Sequence, residues 1–178
     1  MTTRSELQKL WLTLVSLFMV AVAGNSDTNC KLSQIDSNQQ AVLTASLHWL
    51  DCYFHHTEKL SGIQQPPVCW IDEDDTFRGK CLRKLGEVAK MGCTVSYSAL
   101  AAAAGNKAAA RAAGTAMSSN PVGILIPCHR VLPKSGIVGN YAGGSRVKKF
   151  LLEHESKFAK GSVDLDDGDL SRVAETAA

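Results

Sequence analysis

The chain has 178 residues, 45% of them hydrophobic, and a formal net charge of +2. That length bounds it to one or two small domains. Its longest apolar run, residues 10–23, falls short of the roughly 20 residues a membrane-spanning helix needs, so no membrane role is expected. The small net charge hides an asymmetry. Residues 1–75 carry 4 Lys/Arg against 9 Asp/Glu, a balance of −5. Residues 76–160 carry 14 against 3, a balance of +11, and residues 161–178 carry 1 against 5, a balance of −4. A segment as basic as the middle one is an electrostatic footprint for a polyanion, or else a solvated basic face. The six cysteines, Cys30, Cys52, Cys69, Cys81, Cys93 and Cys128, form no C-x-x-C pair. Their loose spacing and the chain's size favour reduced thiols in a cytosolic or nuclear compartment over a disulfide framework.

Arg4 and Lys9 precede the apolar stretch Leu10–Ala23, which reads either as a signal peptide or as two buried β-strands. Strands are the preferred reading, within Leu10–Val22, with another at Cys30–Ile35. Ser37–Gln40 are polar and open a helix from Ala41 to about Phe54, with Val42, Ala45, Leu47, Trp49, Leu50 and Phe54 on a buried face. His48, His55 and His56 are expected to be solvated or capping, and no metal is predicted. Leu60–Asp75 reads as a linker, with Pro66-Pro67 and the acidic run Asp72-Glu73-Asp74-Asp75. Residues 1–75 therefore form an N-terminal α/β domain and linker.

Residues 76–160 form a second, mostly helical domain. Thr76 caps a helix over Phe77–Val88, with Phe77, Cys81, Leu82, Leu85 and Val88 at helical spacing. Ser96 is an N-cap for a short helix from Tyr97, and Gly105-Asn106 stops it. A second helix runs from about Lys107 to Met117. Two short helices across a tight Gly-containing turn form a helix-turn-helix, or a plain αα-hairpin. The second helix is made almost wholly of alanine, with Arg111 as its long side chain. Such a slim helix can enter a narrow groove.

The apolar run Ile124-Leu125-Ile126 ends at Pro127, and Cys128-His129-Arg130-Val131 follows. The thiolate is the nucleophile, and a free cysteine titrates near about 8.5, so a neighbouring base or cation can activate it. His129 and Arg130 adjoin Cys128, and Glu155 lies downstream to orient an imidazole. The loop from Lys134 to Gly144 is dense in glycine, which permits close backbone approach to a ligand. A final helix covers about Val147–Phe158, with Phe150 and Leu151 facing inward. Residues 161–178 read as a disordered acidic tail.

Pro127-Cys128-His129-Arg130-Val131 with Gly139-Asn140-Tyr141-x-Gly143-Gly144 resembles the active-site signature of O6-alkylguanine-DNA alkyltransferases, the methylated-DNA–protein-cysteine methyltransferases. The likeness runs from about Val95 to Glu155. It is weaker upstream, at Ser5–Leu12 and at Trp49-Leu50-x-x-Tyr53-Phe54. It implies an α/β fold: a small RNase H-like N-terminal domain, then a mostly helical domain with a winged-helix-like helix-turn-helix docking in the minor groove. It implies direct damage reversal, in which a methyl or alkyl group passes irreversibly and once per molecule from O6-alkylguanine to Cys128. O4-alkylthymine in DNA is a further implied substrate. Catalytic roles fall to Cys128, His129, Glu155, Tyr97 and Asn120. Arg111 is the finger that replaces the flipped nucleotide, and Tyr97, Ala109, Ala110, Gly114 and Arg130 join it against DNA. Tyr97, Met117, Val131, Val138, Tyr141, Ala142 and Gly143 hold the base. Gly123 replaces a proline of some relatives, and Ala142 a serine. No cofactor is implied. The partner is double-stranded DNA, the protein a monomer, and the compartment the nucleus, or the nucleoid or cytoplasm of a prokaryote. The alternatives are a thiol hydrolase and a non-catalytic binder of alkylated DNA.

Overall fold

The computed structural model describes residues 37–68, 75–158 and the strand residues 164–165. The strands expected within Leu10–Val22 and Cys30–Ile35, and the acidic run at 72–74, lie outside the described residues. The chain divides into two compact units, one holding residues up to Pro67 together with Pro121–Leu125, the other Val68–Asn120 and Ile126 onward.

In the first unit, helix α1 spans Ser37–His55. Its buried stripe is Ser46, Trp49, Leu50 and Tyr53, at helical spacing. The sequence pattern places Ala45 on that stripe, but Ala45 is exposed and Ser46 takes the inward position. A buried serine is tolerated because its hydroxyl donates to the Val42 carbonyl at 2.7 Å. Trp49 and Tyr53 stack with ring centroids 5.5 Å apart. The Thr57 hydroxyl donates to the Tyr53 carbonyl at 2.9 Å and closes the helix. A 3-10 helix over Thr57–Gly62 occupies part of the expected linker. His48, His55 and His56 are exposed. His55 meets Asp51 at 3.0 Å and His56 meets Glu58 at 3.8 Å. In the same unit Ile124 adopts φ 72°, a left-handed conformation that a β-branched residue holds only at a cost of about 1–3 kcal/mol.

In the second unit, α2 spans Phe77–Val88 and is capped by the Thr76 hydroxyl, which accepts from Gly79 N at 3.2 Å. It buries Cys81, Leu82, Leu85 and Val88. Gly92, at φ 77°, turns the chain into β1, Thr94–Ser96. The Ser96 hydroxyl accepts from Ala99 N at 3.0 Å and starts α3, Tyr97–Ala103. Gly105, at φ 93°, makes the reversal. Helix α4 spans Ala110–Ser118, three residues later than the composition predicts. The cause is local: the Asn106 side chain accepts from Ala108 N at 3.2 Å and holds the turn out of the helix. Helices α2, α3 and α4 pack together. Their core is Leu82, Leu85, Leu100, Ala113, Ala116 and Met117. Each fully buried leucine is worth about 1.5–3 kcal/mol.

After a 3-10 turn at Cys128–Arg130 comes β2, Val131–Leu132, and later α5, Ser145–Ser156. Strand β2 pairs parallel with β1, Val95 against Val131. On the other edge of β1 lies β3, Asp164–Leu165, also parallel. These two residues fall in the stretch read from sequence as a disordered acidic tail. An unpaired strand edge satisfies its backbone groups by taking up a neighbour, whatever the side chains beside it. The parallel pairing of β1 and β2 sets the start of α3, and with it Tyr97, beside the cysteine turn. Helix α5 packs on that same turn.

Candidate active site

The site is built from the 3-10 turn outward. Cys128, His129 and Arg130 are all buried. The Asn120 amide, just past the end of α4, donates to Cys128 Sγ at 3.0 Å and to the Ile126 carbonyl at 2.9 Å. It ties the end of the helix-turn-helix to the cysteine. Burial pushes the Cys128 thiol up, and the Asn120 amide, the Lys148 ammonium and the Tyr141 hydroxyl push it back. Cys81 lacks such neighbours, and burial alone pushes it up to about 11. That contrast separates a supported thiol from an inert one.

His129 is fully buried, and its Nε2 lies 2.8 Å from Glu155 Oε1. Glu155 is an ionised acceptor, held well below the usual carboxylate range by the donors around it, His129 first and then Arg130, against the cost of burial. Nε2 therefore carries the proton, and the lone pair is left on Nδ1. Nδ1 is buried and, among the described residues, has no protein hydrogen-bond partner. Burial holds His129 below its ordinary value despite the Glu155 carboxylate, so the ring is neutral at physiological pH.

Arg130, expected from sequence against DNA, is 8% exposed. Its Nε and Nη2 reach the two Glu155 oxygens at 2.8 Å each, and Nη1 donates to the Ala89 carbonyl at 2.6 Å. A guanidinium committed in this way cannot also bind phosphate. The side chain fixes Glu155 instead, a bidentate geometry that also fixes the carboxylate plane.

A cleft of about 210 Å³ opens over Cys128. Tyr97, Met117, Tyr141 and Ala142 line it, with Ser118, Asn140 and Lys148. Of the residues expected to hold the base, Val131, Val138 and Gly143 are not on its wall. Val131 is fully buried beneath it. Gly143 packs against Val147, which a Cβ there would meet at 3.3 Å. Gly114 sits against the Tyr97 ring, with room for an ordinary contact at 3.8 Å. On α4, Arg111 is exposed, and Ala109 and Ala110 are partly so. Burial, with Cys128 nearby, raises the Tyr97 phenol, which keeps it protonated.

Lys148 was not singled out in the sequence. It is 1% exposed, and its ammonium donates to the Val131 carbonyl at 2.7 Å. The signal existed: Lys148, Leu151 and Glu155 fall at i, i+3 and i+7, one buried face of α5. Among the described residues no group of three or more His, Cys, Asp or Glu is placed to hold a metal ion.

The site is thus a buried thiol under a cleft, backed by a His–Glu–Arg chain and tied by Asn120 to the end of the α3–α4 helix pair. The family model described as the DNA-binding domain of 6-O-methylguanine DNA methyltransferase matches residues 76–157. Residues 76–157 are thus similar to the DNA-binding domain of that family. It is similar to the methylated-DNA–protein-cysteine methyltransferase of Homo sapiens, 50% identical over 108 residues, which is 60% of this chain and 52% of that protein. The Salmonella typhimurium protein of the same name is 47% identical over 64 residues, 36% of this chain and 37% of that one. The chain thus spans about half the length of the mammalian relative. The crystal structure of the O6-methylguanine-DNA methyltransferase of the archaeon Pyrococcus kodakaraensis is similar at a TM-score of 0.50. It is 27% identical and covers 86% of this chain and 80% of that one.

Proposed function

We propose that this protein repairs DNA by direct reversal, moving a methyl or alkyl group from O6-alkylguanine, and from O4-alkylthymine, onto its own Cys128. The observation that carries the reading is the buried Cys128 under its cleft, bonded by Asn120 to the end of α4. The match of residues 76–157 to that DNA-binding domain and the names of the relatives support it.

The basic segment finds duplex DNA through its phosphates. Helices α3 and α4 act as a winged-helix-like reader in the minor groove, with Ala109, Ala110 and Gly114 facing the backbone. The reacting carbon lies inside the base stack, so the nucleotide is flipped out, at a cost of a few kcal/mol. Arg111 fills the space left behind, and Tyr97 meets the flipped base. Met117, Tyr141 and Ala142 close around it, while Val131, Val138 and Gly143 contribute through backbone groups and packing.

His129 takes the Cys128 proton on Nδ1, through a bridging water, and Glu155 steadies the resulting imidazolium. The Sγ lone pair attacks the carbon on O6. An S–C bond forms as the C–O6 bond breaks, and the electron pair stays with guanine. Tyr97 supplies a proton to the departing base and is reprotonated from His129. In sum, thiol and O6-alkylguanine become thioether and guanine, and the thiol proton ends on guanine. No second nucleophile reverses the thioether, so each molecule acts once. The chemistry uses no cofactor. The described residues hold no helix long and apolar enough to cross a membrane. The N-terminal residues, through about 75, are read as an RNase H-like domain, the protein as a monomer, and the compartment as that of its DNA.

The test is incubation with duplex DNA carrying a labelled O6-methylguanine. One label per protein, with no turnover, is expected. Repeated turnover would instead identify a thiol hydrolase, and tight binding without transfer a lesion-binding protein.

A further inference from the structure

Lys148 is a buried ammonium that the transfer chemistry above does not use. Among the described residues its hydrogen-bond partner is the Val131 carbonyl, at 2.7 Å. A carbonyl tether alone does not require a charge, since a glutamine amide would serve. Burying an ammonium is costly unless an anion compensates it. At 1% exposure Lys148 is also closed to DNA phosphates.

The groups facing Cys128 show where the compensating anion arises. Tyr97 comes from α3 and Tyr141 from the glycine loop, both as neutral phenols. Asn120 donates a neutral amide. His129 is neutral, and behind it the charges of Arg130 and Glu155 cancel in a bidentate pair. Lys148, from α5, shares the cleft with Cys128. Among the described residues it is the cation near Cys128 that no carboxylate neutralises. Thiol ionisation is the event that balances it.

We infer that Lys148 is the counter-ion of the Cys128 thiolate formed on the reaction path, a positioning residue that acts through the nucleophile rather than on the base. This rests on Cys128 being the nucleophile of the reading above. Burial raises the thiol and lowers the ammonium, and against that each group favours the charged form of the other: the ammonium lowers the thiol, and the thiolate raises the ammonium. The Val131 carbonyl fixes where the charge sits. The proton balance is unchanged, since His129 still takes the thiol proton and Lys148 keeps its own throughout.

The experiment is the rate of Cys128 alkylation by iodoacetamide as a function of pH, in the full chain without DNA, with Cys128→Ala as the blank. Lys148→Met keeps the length and packing of the stem and removes the charge. It should move the reactivity midpoint to higher pH and leave about tenfold less thiolate at neutral pH, the usual effect of losing one close countercharge. Lys148→Arg should restore the midpoint. A folded Lys148→Met protein with an unchanged midpoint would overturn the proposal and leave Lys148 a simple tether. A second measurement needs no variant. The side-chain NMR signal of Lys148 in the wild type should show an inflection where Cys128 ionises, and lose it after S-methylation with methyl iodide. Absence of that inflection would also overturn the proposal. Both readouts concern the thiol alone, so failed transfer from O6-methylguanine DNA with a normal midpoint shift would count against the repair reading and not against Lys148.

Discussion

The exposed face of α4 and the turn that carries Cys128 lie in the same unit and are built on opposite principles. Arg111, Ala112, Thr115 and Ser118 are exposed, and Ala109, Ala110 and Gly114 are partly so. That surface is nearly featureless except for one long cation. Beside Cys128 the charged and imidazole side chains are buried and committed: Arg130 to Glu155 and Ala89, His129 to Glu155, Lys148 to Val131. On the proposed reading the first region slides over any DNA sequence, and so needs shape and charge rather than directional bonds. The second must hold one geometry for one reaction, so it needs bonds in every direction. Side-chain loss on α4 should therefore cost binding and flipping but not stability. Loss at the turn should cost both chemistry and fold.

The largest effect is expected at Glu155. Glu155→Gln removes the orienting carboxylate and leaves Arg130 buried without a countercharge. Transfer should slow by roughly 10²–10⁴-fold, the usual worth of a positioned base. Stability should fall by about 3–5 kcal/mol, as when one partner of a buried ion pair is removed. Single-turnover rates and urea unfolding check the two parts, and an unchanged stability would mean that Arg130 finds another partner.

On the other side of the comparison, Arg111→Ala should leave the urea midpoint unchanged. It should slow transfer from duplex DNA by about 10–100-fold, because the few-kcal/mol cost of unstacking is no longer offset. Transfer from free O6-benzylguanine should be unaffected. Equal losses on the two substrates would remove the finger role from Arg111.

Asn120→Ala joins the two regions. It strips a donor from Cys128 Sγ and from the Ile126 carbonyl. A loss of about 1–3 kcal/mol in stability is expected from the unsatisfied group. Iodoacetamide labelling of Cys128 should slow as well, and a variant with normal thiol reactivity would show the amide to be a tether only.

The smallest effect is in the pH dependence of stability. His129 is held below its unfolded value and Glu155 below its own. Both groups therefore contribute stability that is complete above their unfolded values and lost as pH falls through them. The losses should begin near about 6.5 for His129 and about 4.3 for Glu155, each with a slope near about 1.4 kcal/mol per pH unit. Urea midpoints at intervals from neutral pH down through the carboxylate range check this. The lower stage should vanish in Glu155→Gln.

The helical region was the more legible from sequence. The caps at Thr76 and Ser96, the Gly105 turn and the apolar spacing of α2 are local signals, and the structure uses each of them. The start of α4 was missed because Asn106 bonds its own turn, a competition that composition does not show. The cysteine turn was legible in its residue types but not in its wiring. Arg130 reads from sequence as a DNA contact and Lys148 is not singled out, because charged residues are almost never fully buried unless paired. Their partners, Glu155 and the Val131 carbonyl, lie 25 and 17 positions away. No spacing rule spans such gaps. They become visible only when α5 folds back onto the turn.

The account depends most on the claim that the alkyl group ends on Cys128. The direct measurement is digestion and mass spectrometry of the protein after reaction with a duplex carrying isotopically labelled O6-methylguanine, beside a Cys128→Ala control. The account predicts one labelled methyl per molecule, on Cys128, with restored guanine in the DNA and no label in the control. Label on another residue, label in the control, or methanol released with turnover would contradict it.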